Sequence, residues 1–230
     1  MKLEDPLPSY KEAFLRLFYP RLCACCRRLL TLAEKDLCGA CGQGFEEYRL
    51  RPSEERIRGT LAYGDEAWAL FRYEGAVKEI FHQIKFERRR DLLGVFDPAL
   101  AEFLARRPAL SAYDEVMPIP LDFRRRLERE FNQSGIIAGR VREILGKGRA
   151  GAVLRKRLAP PQSLLGREAR RWNLEHAFRL ERRERIAEKS VLLVDDIFTT
   201  GATLEAAAKI LKGAGARRIG YFVLARTHLN

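Results

Sequence analysis

The sequence predicts an α/β domain, in which helices flank a parallel sheet, joined to a small amino-terminal segment with four cysteine ligands. Three observations support this prediction. A short apolar run, Val191–Val194, leads into a polar turn and then a helix-periodic segment, the order expected of a buried parallel strand and its following helix. All five cysteines lie within nineteen positions. The length of 230 residues suits one α/β domain plus a small appendage.

The polar stretch Arg49–Gly59 marks the predicted boundary between the two parts. We therefore expect an amino-terminal segment at residues 1–58 and the main domain at residues 59–230. The amino-terminal segment begins with a predicted helix, because Ala13, Phe14, Leu17 and Phe18 form a helix-like apolar face that stops at Pro20.

Two CxxC pairs follow this helix, and they predict a zinc site. Paired thiolates in two tight turns suit the tetrahedral coordination of Zn²⁺. Disulfides are the alternative, but they are rare in cytosolic proteins and nothing in the sequence indicates secretion. We predict that Cys25 is not a ligand. The predicted zinc ligands are Cys23, Cys26, Cys38 and Cys41.

The main domain shows alternating strand and helix patterns. Apolar periodicity, prolines and glycines set the limits of each element. The predicted strands are Thr60–Tyr63, Trp68–Tyr73, Glu115–Pro120, a short strand from Val153, Phe178–Leu180, Val191–Val194 and Ile219–Ala225, and the predicted helices are Ala76–Phe86, Leu92–Leu104, Asn132–Leu145 and one from Leu204.

The segment Val191–Leu204 carries the strongest chemical pattern in the chain. Asp195 and Asp196 end the predicted strand, and three threonines and Gly201 lead into the helix. A helix amino terminus offers N–H groups and a positive dipole to an anion, while adjacent carboxylates accept hydrogen bonds from a vicinal diol. Together these groups suit a ribose 5-phosphate. The alternative is that the acids and threonines only cap the helix.

The same residues resemble the signature of type I phosphoribosyltransferases, which bind phosphoribosyl pyrophosphate (PRPP). The resemblance implies that Asp195 and Asp196 hold the ribose hydroxyls. It also implies a 5-phosphate loop and a pyrophosphate loop after an earlier strand. The first loop comprises Thr199, Thr200, Gly201, Ala202 and Thr203, and the second comprises Pro118, Ile119, Pro120, Leu121 and Asp122. Mg²⁺ is expected to bind with PRPP.

Several further motifs resemble the ComF family of competence-associated, phosphoribosyltransferase-like proteins. They are the CxxC pairs, YEGAVKEIFHQIKF (Tyr73–Phe86), VMPIPLDFRRRLEREFNQ (Val116–Gln133), the Gln162–Phe178 stretch and VLLVDDIFTTGATL. Glu130 occupies a position where similar family members often have glycine. The family implies a type I phosphoribosyltransferase-like fold, and by analogy Lys85, Arg129, Asn132, Gln133 and Arg157 are candidates to line the site.

The resemblance also implies a cytoplasmic protein linked to DNA uptake in natural transformation. Its implied partners are PRPP, single-stranded DNA, and DNA-uptake proteins such as a competence helicase. No apolar run reaches the length of a membrane span, so we expect no membrane insertion. The start of the chain also lacks the pattern of a signal peptide.

The net charge of +12 favours a polyanionic partner, because lysine and arginine neutralise phosphates. The basic residues cluster, for example at Arg124–Arg126 and Arg155–Arg157. An arginine-rich, solvated surface is the alternative explanation. Two functions therefore stay open. One is a phosphoribosyltransferase whose acceptor the sequence does not identify, and the other is a non-catalytic single-stranded DNA adaptor that senses PRPP.

Overall fold

The computed structural model describes residue 18 and residues 20–58, 61–121, 130–151, 153–156 and 178–227. The predicted helix before Pro20 lies outside this part of the chain, except for Phe18. The described residues group into two compact units: one contains 20–48 and 74–95, and the other contains 49–73 and the residues from 96 onward. The sheet unit thus begins before residue 58, the predicted end of the amino-terminal segment, because Leu50 and Ile57 belong to its core.

The sheet unit is built on four parallel strands in the order β1–β6–β5–β2. Their limits are Glu66–Arg72 (β1), Glu115–Pro118 (β2), Ser190–Phe198 (β5) and Arg218–Arg226 (β6). All four are rich in buried apolar residues, as expected for strands covered on both faces. The prediction of a parallel sheet is confirmed.

Helices cover both faces of this sheet. In the described part of this unit, the α-helices are α3 (Asp97–Ala105), α4 (Gln133–Ile144) and α5 (Ala202–Gly213). Leu204 of α5 shares a buried cluster with Val223 of β6. Phe103 of α3 packs against Phe222 of the same strand, with ring centroids 5.3 Å apart. Because neighbouring strand residues point to opposite faces, α3 and α5 lie on opposite sides of the sheet.

Several elements differ from their predicted limits. Strand β5 does not end at Val194 but continues through both aspartates to Phe198. The predicted strand at Thr60–Tyr63 is absent at residues 61–63, where the Tyr63 N–H donates to the Glu205 carboxylate at 2.9 Å instead of to a neighbouring strand. The predicted helix Leu92–Leu104 is a 3₁₀ helix, Arg90–Phe96, followed by α3, whose first turn contains Pro98.

Two short strands form a separate antiparallel two-stranded sheet. They are β3 (Val153–Lys156) and β4 (Phe178–Glu181), and Leu154 pairs with Leu180. The stretch between them, 157–177, lies outside the described residues. Two further 3₁₀ helices, Pro108–Ala112 and Arg183–Arg185, precede β2 and β5.

Residues 20–48 and 74–95 of the cysteine unit include the helices α1 (Gly39–Glu46) and α2 (Gly75–Phe86). Its cysteines form a small buried cluster with Leu30 and Leu37. In the part of the chain that the structure describes, no helix is long and apolar enough to cross a membrane.

Candidate functional site

The candidate ligand site lies where β5 ends, at the carboxyl edge of the parallel sheet. Asp195 and Asp196 are half-buried near the end of this strand, while Thr199 and Thr200 in the following turn are exposed. Strand β2 ends beside them, because Pro118 pairs with Val194 and the Ile119 N–H donates to the Val194 carbonyl at 2.8 Å. Open parallel sheets bind ligands at this edge.

The Asp195 carboxylate is held by two hydrogen bonds to one of its oxygens. The Ser134 hydroxyl donates to Asp195 Oδ1 at 2.7 Å, and the Asp196 backbone N–H donates to the same oxygen at 2.9 Å. Ser134 is only 3% exposed and lies in the first turn of α4. These bonds fix the orientation of the carboxylate. The sequence analysis missed Ser134, although it directly follows the candidate pair Asn132 and Gln133.

Gly201 shapes the turn between β5 and α5. It is the N-cap residue of α5 and has a φ of +74°, in the left-handed region that favours glycine. A Cβ at this position would lie 2.7 Å from the Phe198 ring. The N-cap residue of α5 is thus glycine, not an aspartate or threonine. At this helix end, the Thr200 hydroxyl accepts from the Ala202 N–H at 3.4 Å.

The start of α4 brings buried amide side chains to the end of β2. Asn132 donates to the Ile119 carbonyl at 3.0 Å. Its Oδ1, and the Nε2 of Gln133, are buried without a hydrogen-bond partner among the described residues. Buried polar atoms usually have a partner, so a polar ligand beside this helix would complete their hydrogen bonding.

Glu130, just before this helix, has a φ of +63°. The position therefore has the backbone conformation that glycine adopts without strain, which gives a physical reason for the glycine that similar family members often have there. For a residue with a side chain this conformation costs about 1–2 kcal/mol.

Tyr73 is a second residue that the sequence analysis did not assign. It directly follows β1, and its N–H donates to the Arg226 carbonyl at 2.8 Å, at the carboxyl end of β6. Burial raises the pKa of its phenol, and the negative charge of Asp196 raises it further. Tyr73 therefore remains a protonated donor at neutral pH beside the candidate site.

The remaining predicted residues are distributed as follows. Pro118 ends β2, and Ile119, Pro120 and Leu121 follow it. Lys85 lies in the last turn of α2, in the cysteine unit, with its Nζ 5.5 Å from the centroid of the Phe81 ring. Asp122, Arg129 and Arg157 lie outside the described residues, as do Arg124–Arg126.

Four cysteines converge in the other unit. The Sγ atoms of Cys23, Cys26, Cys38 and Cys41 all lie within 4.8 Å of one another, and those of Cys26 and Cys38 are 3.7 Å apart. Zn–S bonds of about 2.3 Å in a tetrahedron place sulfur atoms roughly 3.8 Å apart, so the cluster fits one such ion. The four thiols can hold a metal ion.

Electrostatics around the cluster favour a thiolate at Cys38. The Cys41 N–H and neighbouring donors lower the pKa of the Cys38 thiol to about 6. The Cys38 N–H in turn donates to Cys23 Sγ at 3.4 Å. Burial raises the pKa of Cys25 to about 11, so this fifth cysteine stays a thiol.

Glu34 stabilises the loop between the two cysteine pairs through hydrogen bonds and an ion pair. Its carboxylate accepts from the N–H groups of Thr31 (2.9 Å) and Gly39 (2.8 Å) and pairs with Arg28 at 2.7 Å. The Thr31 and Gly39 N–H groups lower the pKa of Glu34 to about 2, so it is ionised throughout the physiological range. Such contacts orient the ligands of a metal site.

Comparison with known proteins agrees with this architecture. Residues 149–228, which include β3 to β6, match the phosphoribosyl transferase domain family. Competence protein ComFC of Streptococcus pneumoniae is 35% identical over 159 residues, covering 69% of this chain and 67% of that protein. DNA utilization protein YhgH of Escherichia coli strain K12 is 29% identical over 227 residues, covering 92% and 99%. Competence protein ComFC of Bacillus subtilis is 25% identical over 229 residues, covering 95% and 90%.

The parallel sheet and the matched domain define a phosphoribosyltransferase-type protein. More specifically, the chain belongs to the ComF family of competence-associated, phosphoribosyltransferase-like proteins, and the predicted family is thereby confirmed.

Proposed function

We propose that this protein binds Mg²⁺-PRPP at the carboxyl edge of its sheet and acts in DNA uptake during natural transformation. One observation carries the proposal: two carboxylates near the end of β5 are followed, within five residues, by a positive-φ glycine at the amino terminus of α5. This arrangement places acceptors for a diol next to donors for a phosphate. The family's DNA-related names support the link to DNA uptake.

Each part of PRPP has proposed partners. The Asp195 and Asp196 carboxylates accept hydrogen bonds from the ribose hydroxyls, and Ser134 holds Asp195 in place for this contact. The turn Thr199–Thr203 binds the 5-phosphate through hydroxyls and backbone N–H groups. The pyrophosphate lies by the segment that begins at Pro118, near the buried amides of Asn132 and Gln133. Bound Mg²⁺ would neutralise pyrophosphate charge as this group departs.

We also propose that the four-cysteine cluster binds one structural Zn²⁺, since its sulfur spacing suits that ion. A reducing cytoplasm, where thiols persist, is the compartment proposed for the protein.

Calorimetry with PRPP and Mg²⁺ tests the ribose phosphate site. Charge-assisted hydrogen bonds contribute roughly 1.5–3 kcal/mol each, so Asp195→Asn with Asp196→Asn should weaken binding well over tenfold. The matched control is Glu184→Gln with Glu188→Gln, which removes the same charge from exposed positions outside the site. Absence of binding heat with the wild-type protein, or equal affinity of the aspartate variant and the control, contradicts the proposal.

Thr→Val at Thr200 or Thr203 tests the phosphate loop more cleanly than a change at Gly201. Any side chain at Gly201 would meet the Phe198 ring and strain the backbone as well as occupy phosphate space. Loss of affinity in Gly201→Val would therefore have two causes.

The second candidate is a non-catalytic adaptor that binds single-stranded DNA and senses PRPP. The net charge of +12 favours it. Release of pyrophosphate from PRPP in the presence of candidate acceptors indicates the enzyme, whereas PRPP binding without turnover, together with salt-dependent DNA binding, indicates the adaptor.

A further inference from the structure

A basic cleft lies in the sheet unit beside strand β1. A cavity of about 330 Å³ is lined by Ser53, Glu54, Arg56, Arg58 and Arg226. A second cavity, of about 530 Å³, is also lined by Arg56 and Arg58, so these two arginines border both spaces. We refer to the two cavities together as the arginine cleft.

The arginine cleft is held on a fixed piece of backbone. The Ala69 N–H donates to the Glu55 carbonyl and the Ile57 N–H donates to the Ala67 carbonyl, both at 2.8 Å, so this segment pairs with β1. Burial alternates along it: Glu55 and Ile57 are buried, while Arg56 and Arg58 are exposed. In an extended chain, residues two apart share a face, so both guanidinium groups are on the outer side.

The positive charge of the cleft is only partly balanced by nearby acids. Within the described part of the chain, Arg56 and Arg58 form no ion pair. Arg226 has a buried Nε without a hydrogen-bond partner. Its NH2 group reaches only the Glu54 carbonyl, at 3.5 Å. The Glu54 carboxylate caps its own turn, because it accepts from the Arg51 N–H at 3.1 Å.

The acids of the larger cavity are also engaged elsewhere. Asp65 accepts from the Ile219 N–H at 2.7 Å and from Lys212 Nζ at 3.2 Å. Glu66 accepts from the Tyr113 hydroxyl at 2.7 Å and pairs with Arg218. Three guanidinium groups therefore face the cleft against one carboxylate without a cationic partner among the described residues, that of Glu54.

Guanidinium groups bind phosphoryl oxygens through paired N–H donors. Arg56 and Arg58 border both cavities, which suits a chain of phosphates better than one enclosed anion. We infer that the arginine cleft binds the phosphodiester backbone of a nucleic-acid strand through Arg56, Arg58 and Arg226. None of these three arginines is among the proposed PRPP ligands, and the inference gives the DNA-binding candidate a defined location.

The test uses the full-length protein and a short fluorescein-labelled oligothymidylate, with binding followed by fluorescence anisotropy. Arg56→Ala with Arg58→Ala should weaken binding at least tenfold at low salt. Each phosphate contact to a single strand contributes about 0.7 to the slope of log affinity against log salt, so the slope should become shallower by about 1.4. These residues are exposed, so the variant should unfold at the wild-type temperature.

Arg149→Ala with Arg185→Ala is the matched control, because it removes two exposed arginines outside the cleft. It should leave the salt slope within a few tenths of the wild-type value. The inference is overturned if the wild-type protein does not bind the oligonucleotide, or if the cleft variant and the control have the same affinity and slope. The inference is also overturned if the cleft variant no longer binds inorganic phosphate but binds the oligonucleotide like the wild-type protein.

PRPP calorimetry on the cleft variant separates this inference from the proposed function. The variant should bind PRPP like the wild-type protein, since the cleft residues are not among the proposed PRPP ligands. If neither the wild-type protein nor the cleft variant binds PRPP, while the wild-type protein binds DNA, the proposed function is contradicted and the inference about the arginine cleft is not.

Discussion

At the scale of single residues, the Ser134 hydroxyl is a side-chain contact that helps to orient Asp195. It is almost fully buried, and it donates to a carboxylate oxygen that also receives a backbone N–H. A carboxylate held in this way presents its other oxygen in a fixed direction. Ser134 thus acts through Asp195 as a positioning residue, not as a proposed ligand of PRPP.

Ser134→Val should lower the affinity for PRPP about tenfold, because a hydrogen bond to a charged group contributes roughly 1.5–3 kcal/mol and some of it is recovered by rearrangement. Ser134→Thr has nearly the same shape as the valine variant and keeps the hydroxyl. It should restore most of the affinity. Calorimetry on the pair isolates the hydroxyl, and equal affinities for the two variants would refute the positioning role.

At the scale of elements, the segment that carries the arginine cleft is anchored by a buried carboxylate. Glu55 is 1% exposed and pairs with Arg106 at 2.8 Å and with Arg107, both of which directly follow α3. Arg107 also lies over the Phe103 ring, 4.2 Å from its centroid. These contacts tie residues 49–58 to a helix that packs on the sheet.

Glu55→Gln should destabilise the sheet unit by about 2–3 kcal/mol in urea unfolding. Among the described residues, it leaves the partly buried Arg107 without a charge partner and leaves Arg106 with only the exposed Glu102, at 3.5 Å. Glu102→Gln is the comparison. Glu102 pairs with Arg49 at 2.6 Å and with Arg106 at 3.5 Å, but it is 55% exposed. Solvent screens both pairs, so its loss should cost clearly less stability than the loss of Glu55. If the two variants lose similar amounts of unfolding free energy, the burial of Glu55 does not strengthen its ion pairs.

Strand β5 shows which part of an element sequence patterns predict and which part they miss. Val191–Val194 was correctly assigned to a strand because its four apolar residues are buried on both faces. The strand continues through Asp195 and Asp196 because pairing with β6 extends to Phe198, and polar residues at a sheet edge can remain in the ladder. Backbone pairing of this kind depends on a neighbour distant in sequence, so periodicity alone does not reveal it.

The same limit applies to the candidate site. The cysteines were predicted together because CxxC spacing is local, and the structure confirms their proximity. Ser134 and Tyr73 were missed because their relation to Asp195 and Asp196 arises only when separate elements meet at one sheet edge. The assignment of the ribose, phosphate and pyrophosphate ligands remains a prediction until PRPP binding is measured.

At the scale of the whole molecule, the sheet unit and the cysteine segment 20–48 differ in how much apolar surface they bury. The sheet unit has a large buried core shared by four strands and their helices. Within the described residues, the buried cluster around the cysteines comprises Cys23, Leu30 and Cys38, with a few partly buried neighbours. So small a cluster offers little hydrophobic stabilisation, and a structural metal often supplies the remainder in such segments.

Removal of metal by a strong chelator under reducing conditions should therefore unfold residues 20–48 and leave the sheet folded. Hydrogen exchange followed by mass spectrometry measures both regions in one sample. Amides of residues 20–48 should lose protection, while those of β5 and β6 should keep it. Cys38→Ser should behave like the chelated protein, whereas Cys25→Ser should keep both its metal and its protection, since Cys25 is outside the four-cysteine cluster. Unchanged exchange at residues 20–48 after verified loss of metal would show that apolar contacts alone hold this segment.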